Sequence, residues 1–417
     1  MILKLQNVGS ARRTICRHQF ATIAVAGALL ATAAAWAQRA WWMQQNRNRL
    51  LVEDWVDAIP ALTLAREAFL GLAIFSGVLI VVRTRGHLGR PWVFLLGVML
   101  VISALSKFPH KIVETPLEFP LIHAVRLIGL LAIIGAAEAA TRAHAKPWRS
   151  TLAWVLQGVW VANLIAAALQ VGWGAPIFGA TIFGARPFGL TPLPNTFGLL
   201  GVLYLCLPRR HIPVNHALTA ITCAAILLSG SRAAIAGLAA WAFSKYFFSL
   251  RLIASRMTIA LAGLASLPAL VWIASLPAIS GRTIPVGIRT EKWMDLVALA
   301  TSPRDILFGL DPGRFTNSYL TITGNGVAVD SMPVAWFLNF GLFGLTLLAA
   351  ACYQFFACSN RNVQTALIAM APAVSAFLVM DWGYFSVALL TTLGILAGSH
   401  GSATNISSRW ARSGNLR

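Results

Sequence analysis

Apolar stretches of spanning length follow one another along almost the whole chain, and this pattern constrains the fold more than any other feature. They fall near residues 19–37, 61–82, 91–106, 120–140, 151–171, 191–207, 214–229, 233–250, 257–276, 333–357, 364–380 and 384–399. Backbone in hydrocarbon must satisfy every N–H and C=O internally, which leaves helices and closed barrels. The runs are continuous rather than alternating, so they predict helices. Of the 417 residues 58% are hydrophobic and only 11% are charged, against about a quarter in a soluble domain. The expected fold class is therefore all-α: a polytopic membrane protein of about twelve transmembrane helices. Residues 1–417 would form a single integral membrane domain, with one large outer loop at 277–332.

Charge placement gives this reading a direction. With the N-terminus inside and the runs alternating, the inner loops take most of the basic residues, among them Arg12, Arg13, Arg83, Arg85, Arg90, Arg209, Arg210 and Arg251. Of the 13 acids only Glu138 falls on that side. Lys and Arg collect on the inner side in this way when they set orientation. Both termini are expected in the cytoplasm. The net charge of +20 invites a nucleic-acid reading, but a nucleic-acid binder clusters its basic residues on one face, and here they sit in short loops between apolar runs. The 20–37 stretch follows Arg12, Arg13 and Arg17, and Ala35-Trp36-Ala37 loosely resembles a signal cleavage site, yet in such a chain a retained first helix is expected.

The short inner loops leave no room for a nucleotide-binding domain, and no G-x-x-x-x-G-K-[ST] phosphate loop occurs. Any chemistry is expected on the outer side, without ATP. The five cysteines (Cys16, Cys206, Cys223, Cys352 and Cys358) have no metal spacing and imply no disulfide framework. The histidines, His87 and His110 among them, show no ligand spacing, so neither metal nor cofactor is expected.

Several arginines remain on the outer side. Arg232 lies in Ser229-Gly-Ser-Arg232, with almost no loop around it, at a depth where a charge costs about 2.5–3.5 kcal/mol on insertion scales and usually marks function. Arg186 precedes Thr191-Pro-Leu-Pro-Asn195, Arg289 opens the large loop, and Arg314 follows Pro312-Gly313. A guanidinium grips phosphate through paired hydrogen bonds and stays charged when partly buried. The functional reading is a diphosphate clamp; the plainer one is an arginine reaching to headgroups or pairing with an acid. Asp330 stands just before the 333–357 run, either as a general base or as a helix cap. Glu67 with Arg66, and Arg126 with His123, read as ion pairs or as part of a substrate path. Trp293 and Trp336 suit stacking on sugar rings or anchoring at an interface.

Three segments together resemble the O-antigen ligase and O-antigen (exopolysaccharide) polymerase superfamily of bacterial membrane glycosyltransferases. They are Arg186-Pro-Phe-Gly-Leu-Thr-Pro-Leu-Pro-Asn195; Ser229-Gly-Ser-Arg232; and a large loop opening with Arg289-Thr-Glu-Lys-Trp293, continuing with Gly309-Leu-Asp-Pro-Gly-Arg-Phe315 and closing with Gly341-Leu-Phe-Gly344. The likeness covers roughly residues 180–350. It implies a GT-C-like helical architecture in the bacterial inner membrane and an undecaprenyl-diphosphate-linked glycan as donor. An acceptor hydroxyl displaces the lipid diphosphate at the periplasmic face, with no metal and no nucleotide sugar. The implied catalytic residues are Arg232, Arg289 and Asp330, and the implied substrate-binding residues are Arg186, Asn195, Arg314 and Trp293. Membrane lipids, a flippase and a chain-length regulator are the implied partners.

The ligase branch carries a histidine near the end of the large loop. Here Asp330-Ser331 stand there, and no histidine occurs in 277–332. The expectation is thus a polymerase building exopolysaccharide, capsule or O-antigen. A ligase passing finished glycan to a lipid (as in lipopolysaccharide) or protein acceptor is the alternative within the class. A polysaccharide or lipid transporter is the alternative outside it, although no pair of interrupted helices repeats in two halves.

Overall fold

The computed structural model describes residues 59–83, 147–172, 186–191, 194–207, 216–249, 286–310, 315, 329, 331–358 and 361–376, with scattered positions between 23 and 38. Among them all regular structure is helical: α1 (Pro60–Arg83), α2 (Pro147–Gly172), α3 (Pro194–Cys206), α4 (His216–Leu228), α5 (Arg232–Ser249), α6 (Val286–Ala298), α7 (Pro303–Phe308), α8 (Met332–Cys358) and α9 (Arg361–Ala376).

The expectation of about twelve transmembrane helices in a GT-C-like polytopic architecture is corrected: no helix of the described residues is long and apolar enough to cross a membrane. Reach is one visible reason. At 13 residues each, α3 and α4 rise about 20 Å, against about 30 Å of hydrocarbon. The 27 residues of α8 are two helices joined across a kink at Gly341, and the 16 residues of α9 include Pro372. Polar groups also interrupt the longer helices, with Arg66 and Glu67 in α1 and Gln157, Asn163 and Gln170 in α2. Within 277–332 lie α6 and α7, and α7 is started by a capping box in which the Ser302 hydroxyl accepts from the Asp305 N–H while the Asp305 carboxylate accepts from the Ser302 N–H.

Two bodies of packing organise the described chain. In the first, α3 lies among α4, α5 and α9 around Leu199, Val202, Ile226, Ala234, Val363, Ala366 and Met370. From α2, Trp160 closes one side of this bundle, its ring 5.2 Å from that of Phe197 and its indole N–H donating to Thr222 Oγ1 at 2.9 Å. In the second, α6 and α8 close on Leu296, Phe315, Val329, Ala335, Trp336, Leu338 and Phe340. Across this body α7 lies directly on the kink in α8, and the Leu310 N–H donates to the Leu338 carbonyl at 2.8 Å. Gly341 (φ 65, ψ −165) sits within the turn that would otherwise close on that carbonyl. A Cβ at Gly341 would strike the backbone of Leu307, and one at Gly309 would come within 2.5 Å of Asn339 C, so α7 and α8 meet backbone against backbone. Helix α8 also packs on α9, which joins the two bodies.

Candidate functional site

The site starts from a helix end. Helix α4 stops at Leu228, and Gly230 takes the left-handed conformation (φ 60) that a glycine adopts without penalty. Ser231 then begins α5: its hydroxyl accepts from the Ala234 N–H at 3.3 Å, and its carbonyl from the Ile235 N–H at 2.8 Å. This is N-cap chemistry, and it sets Arg232 as the first residue of α5. The three residues Gly230-Ser231-Arg232 therefore end one helix, cap the next and place a cation where the backbone N–H groups of α5 point outward.

Arg186 comes to the same turn from the other motif. Its Nε–H donates to the Ser229 carbonyl at 2.7 Å, an acceptor left over at the C-terminal end of α4, and Nη2 donates to Asn195 Oδ1 at 3.3 Å. Its guanidinium lies over Gly230, where a Cβ would meet Nε at 3.1 Å. Burial lowers its pKa by desolvation, but a guanidinium keeps its charge at neutral pH. Two of its five donors are used among the described residues, which leaves the rest of the fork for an anion. Ser229 itself is buried; its hydroxyl donates to the Ile226 carbonyl at 2.6 Å and accepts from the Ser231 N–H at 3.2 Å, so the turn is braced from within.

The segment carrying Arg186 has neither helix nor strand to satisfy its backbone, and α2 does so. Gln170 Oε1 accepts from the N–H groups of Phe188 (3.1 Å) and Gly189 (2.9 Å), while Gln170 Nε2 donates to the Gly189 carbonyl at 2.9 Å. Asn163 Oδ1 accepts from the Leu190 N–H at 3.0 Å. Sequence reasoning passed over both amides. The signal that marks them is two amide side chains seven residues apart, on one face of an otherwise apolar helix.

The structure thus brings Arg186, Asn195 and Arg232 to one turn. It puts Trp293 elsewhere: that ring packs half-buried against the core of α6 and α8 with Leu296, Phe315 and Trp336. Trp336 is itself a buried core ring whose indole N–H donates to the Gly344 carbonyl at 2.8 Å. The backbone of Arg289 lies in α6; Asp330 and Arg314 lie outside the described residues, as do Arg126 and His123. Arg66 and Glu67 form an ion pair at 2.6 Å, with the Glu67 side chain half exposed. Cys206 and Cys223 are free thiols, and among the described residues no group of His, Cys, Asp and Glu is placed to hold a metal ion. No model of a known protein family matches the chain, and no curated protein matches it in sequence.

Proposed function

We propose that the chain is a glycosyltransferase that uses a glycan carried on undecaprenyl diphosphate at the periplasmic face of the bacterial inner membrane, and that it polymerises oligosaccharide repeats. The observation that carries this reading is the convergence of Arg186 and Asn195 on the turn that starts α5 with Arg232. A helix N-terminus favours an anion through its outward N–H groups. A guanidinium fork adds paired, charge-assisted hydrogen bonds of the kind that suit phosphate oxygens. Both lie at one turn, and the described residues place no carboxylate in hydrogen-bonding contact with Arg186.

In the reaction an acceptor hydroxyl attacks the anomeric carbon of the donor. The new C–O bond forms as the bond to the diphosphate breaks, and the leaving lipid diphosphate keeps the electron pair. Negative charge grows on the leaving group in the transition state, and fixed cations at that point lower the barrier. Arg186 and Arg232 take that role, with Asn195 orienting the Arg186 fork. Arg289 is proposed as a further cation for the donor, and Asp330 as the base that accepts the hydroxyl proton.

The test uses the purified chain in detergent with a defined undecaprenyl-diphosphate oligosaccharide, following release of lipid diphosphate and product length on a gel. A ladder of lengthening glycans, lost in Arg186→Ala and Arg232→Ala, supports the polymerase. Single transfer to an added acceptor without a ladder replaces it with the ligase. Movement of intact donor across vesicles without diphosphate release replaces it with a transporter.

A further inference from the structure

We infer that Asn163 and Gln170 of α2 are positioning residues for Arg186, holding the backbone of residues 188–190 so that the guanidinium is aimed across the α4–α5 turn; the inference rests on the proposed role of Arg186 as a donor-binding cation. Three consecutive N–H groups, those of Phe188, Gly189 and Leu190, are taken by these two side chains. Gln170 also donates back to the Gly189 carbonyl, so it reads both edges of one residue. Asn163 is fully buried, and its own amide is anchored by donating to the Val159 carbonyl at 2.9 Å. The loop backbone lies directly on α2, with a Cβ at Gly189 only 2.7 Å from the Asn163 carbonyl oxygen.

This arrangement matters for Arg186 because the lever between them is short. Only Pro187 separates Arg186 from Phe188, and its ring fixes φ near −65°. Phe188 is buried and cannot swing. The Phe188 carbonyl receives both the Thr191 N–H at 3.0 Å and the Thr191 hydroxyl at 2.6 Å, which closes the segment into a turn. The direction of Arg186 is thus inherited from hydrogen bonds made two to four residues downstream. Without the amides, three backbone donors in a buried segment lose their partners, and the segment would rearrange to find others.

The test is a double-mutant cycle on the full chain, with inorganic pyrophosphate as the probe. Gln170→Met keeps the length of the side chain and removes its hydrogen bonds. Gln170→Met is expected to weaken pyrophosphate binding about tenfold in the wild-type background and to have no effect when Arg186 is already alanine. In protein labelled with 15N-arginine, hydrogen exchange at Arg186 Nε–H is expected to speed up by a similar factor of about ten as its bond to Ser229 is lost. Asn163→Leu, of near-equal size, is expected to act in the same direction. Equal weakening by Gln170→Met in both backgrounds would overturn the inference and leave these amides with a packing role. Unchanged exchange at Arg186 Nε–H would overturn it as well. If wild-type protein bound no pyrophosphate, the donor-binding role of Arg186 would fall, and the exchange measurement would still decide whether α2 aims the side chain.

Discussion

The two packed bodies hold their glycine motifs by opposite means. Around the α4–α5 turn the joining is done by polar side chains: Arg186 on the Ser229 carbonyl, Gln170 and Asn163 on the 188–190 backbone, Ser231 on the start of α5. Where α7 crosses α8 the joining is done by backbone itself, the Leu310 N–H on the Leu338 carbonyl, with Gly309 and Gly341 leaving no space for a side chain. The difference separates tolerance from function. A backbone-to-backbone crossing is fixed by sterics and fails when an atom is added. A side-chain network can be trimmed one bond at a time, and it leaves donors over for something that is not protein.

Gly341→Ala adds a Cβ against the Leu307 backbone in a conformation open essentially to glycine alone, so unfolding by denaturant should show a loss of about 3 kcal/mol or more. If Gly341→Ala were neutral, the α7–α8 crossing would not be steric. Arg186→Ala should lower turnover of the lipid-diphosphate donor by about 10²–10³, the size of losing one fixed transition-state donor, while costing far less stability than Gly341→Ala. Arg186→Lys should recover little of this turnover, because an ammonium cannot hold the Ser229 carbonyl and a phosphate with one fork. Full activity in Arg186→Lys would reduce Arg186 to a point charge.

Ser302→Ala removes one half of the α7 capping box and should cost about 1 kcal/mol in thermal unfolding, because the Asp305 N–H is left without its side-chain acceptor. Glu67→Gln should change stability by less than about 0.5 kcal/mol, since its partner Arg66 is adjacent in sequence and the carboxylate is half exposed to screening. A larger loss in Glu67→Gln would point to a second contact for the Glu67 carboxylate.

Much of the helical layout was legible from the order of residues. The apolar runs at 61–82, 151–171, 191–207, 214–229, 233–250, 333–357 and 364–380 each coincide with a helix from α1 to α5, α8 or α9 to within a few residues. What such runs cannot carry is straightness and reach. The kink at Gly341 lies at the crossing of α7, where Gly341 meets the Leu307 backbone 34 residues away in the chain, and the 333–357 stretch by itself does not show that partner. Apolar length does not mark α6 or α7. The Ser302-Pro-Arg-Asp305 pattern that starts α7 was present in the sequence all along.

The same division runs through the candidate site. The sequence alone determined that a Gly-Ser-Arg turn would separate two helices, because glycine, a capping serine and the break between apolar runs are local signals. It also singled out Arg186 and Asn195 as one segment. Only the tertiary structure decided that Arg186 lies on that turn, 43 residues away, and that Trp293 serves a core instead of standing beside it. Only the tertiary structure, too, gave Asn163 and Gln170 a task. The reason is physical: hydrogen-bond caps and apolar periods act over a few residues and can be read in order. The partner of a guanidinium or an amide is set by which backbone groups packing leaves without a donor or acceptor, and that is known only once the helices have met.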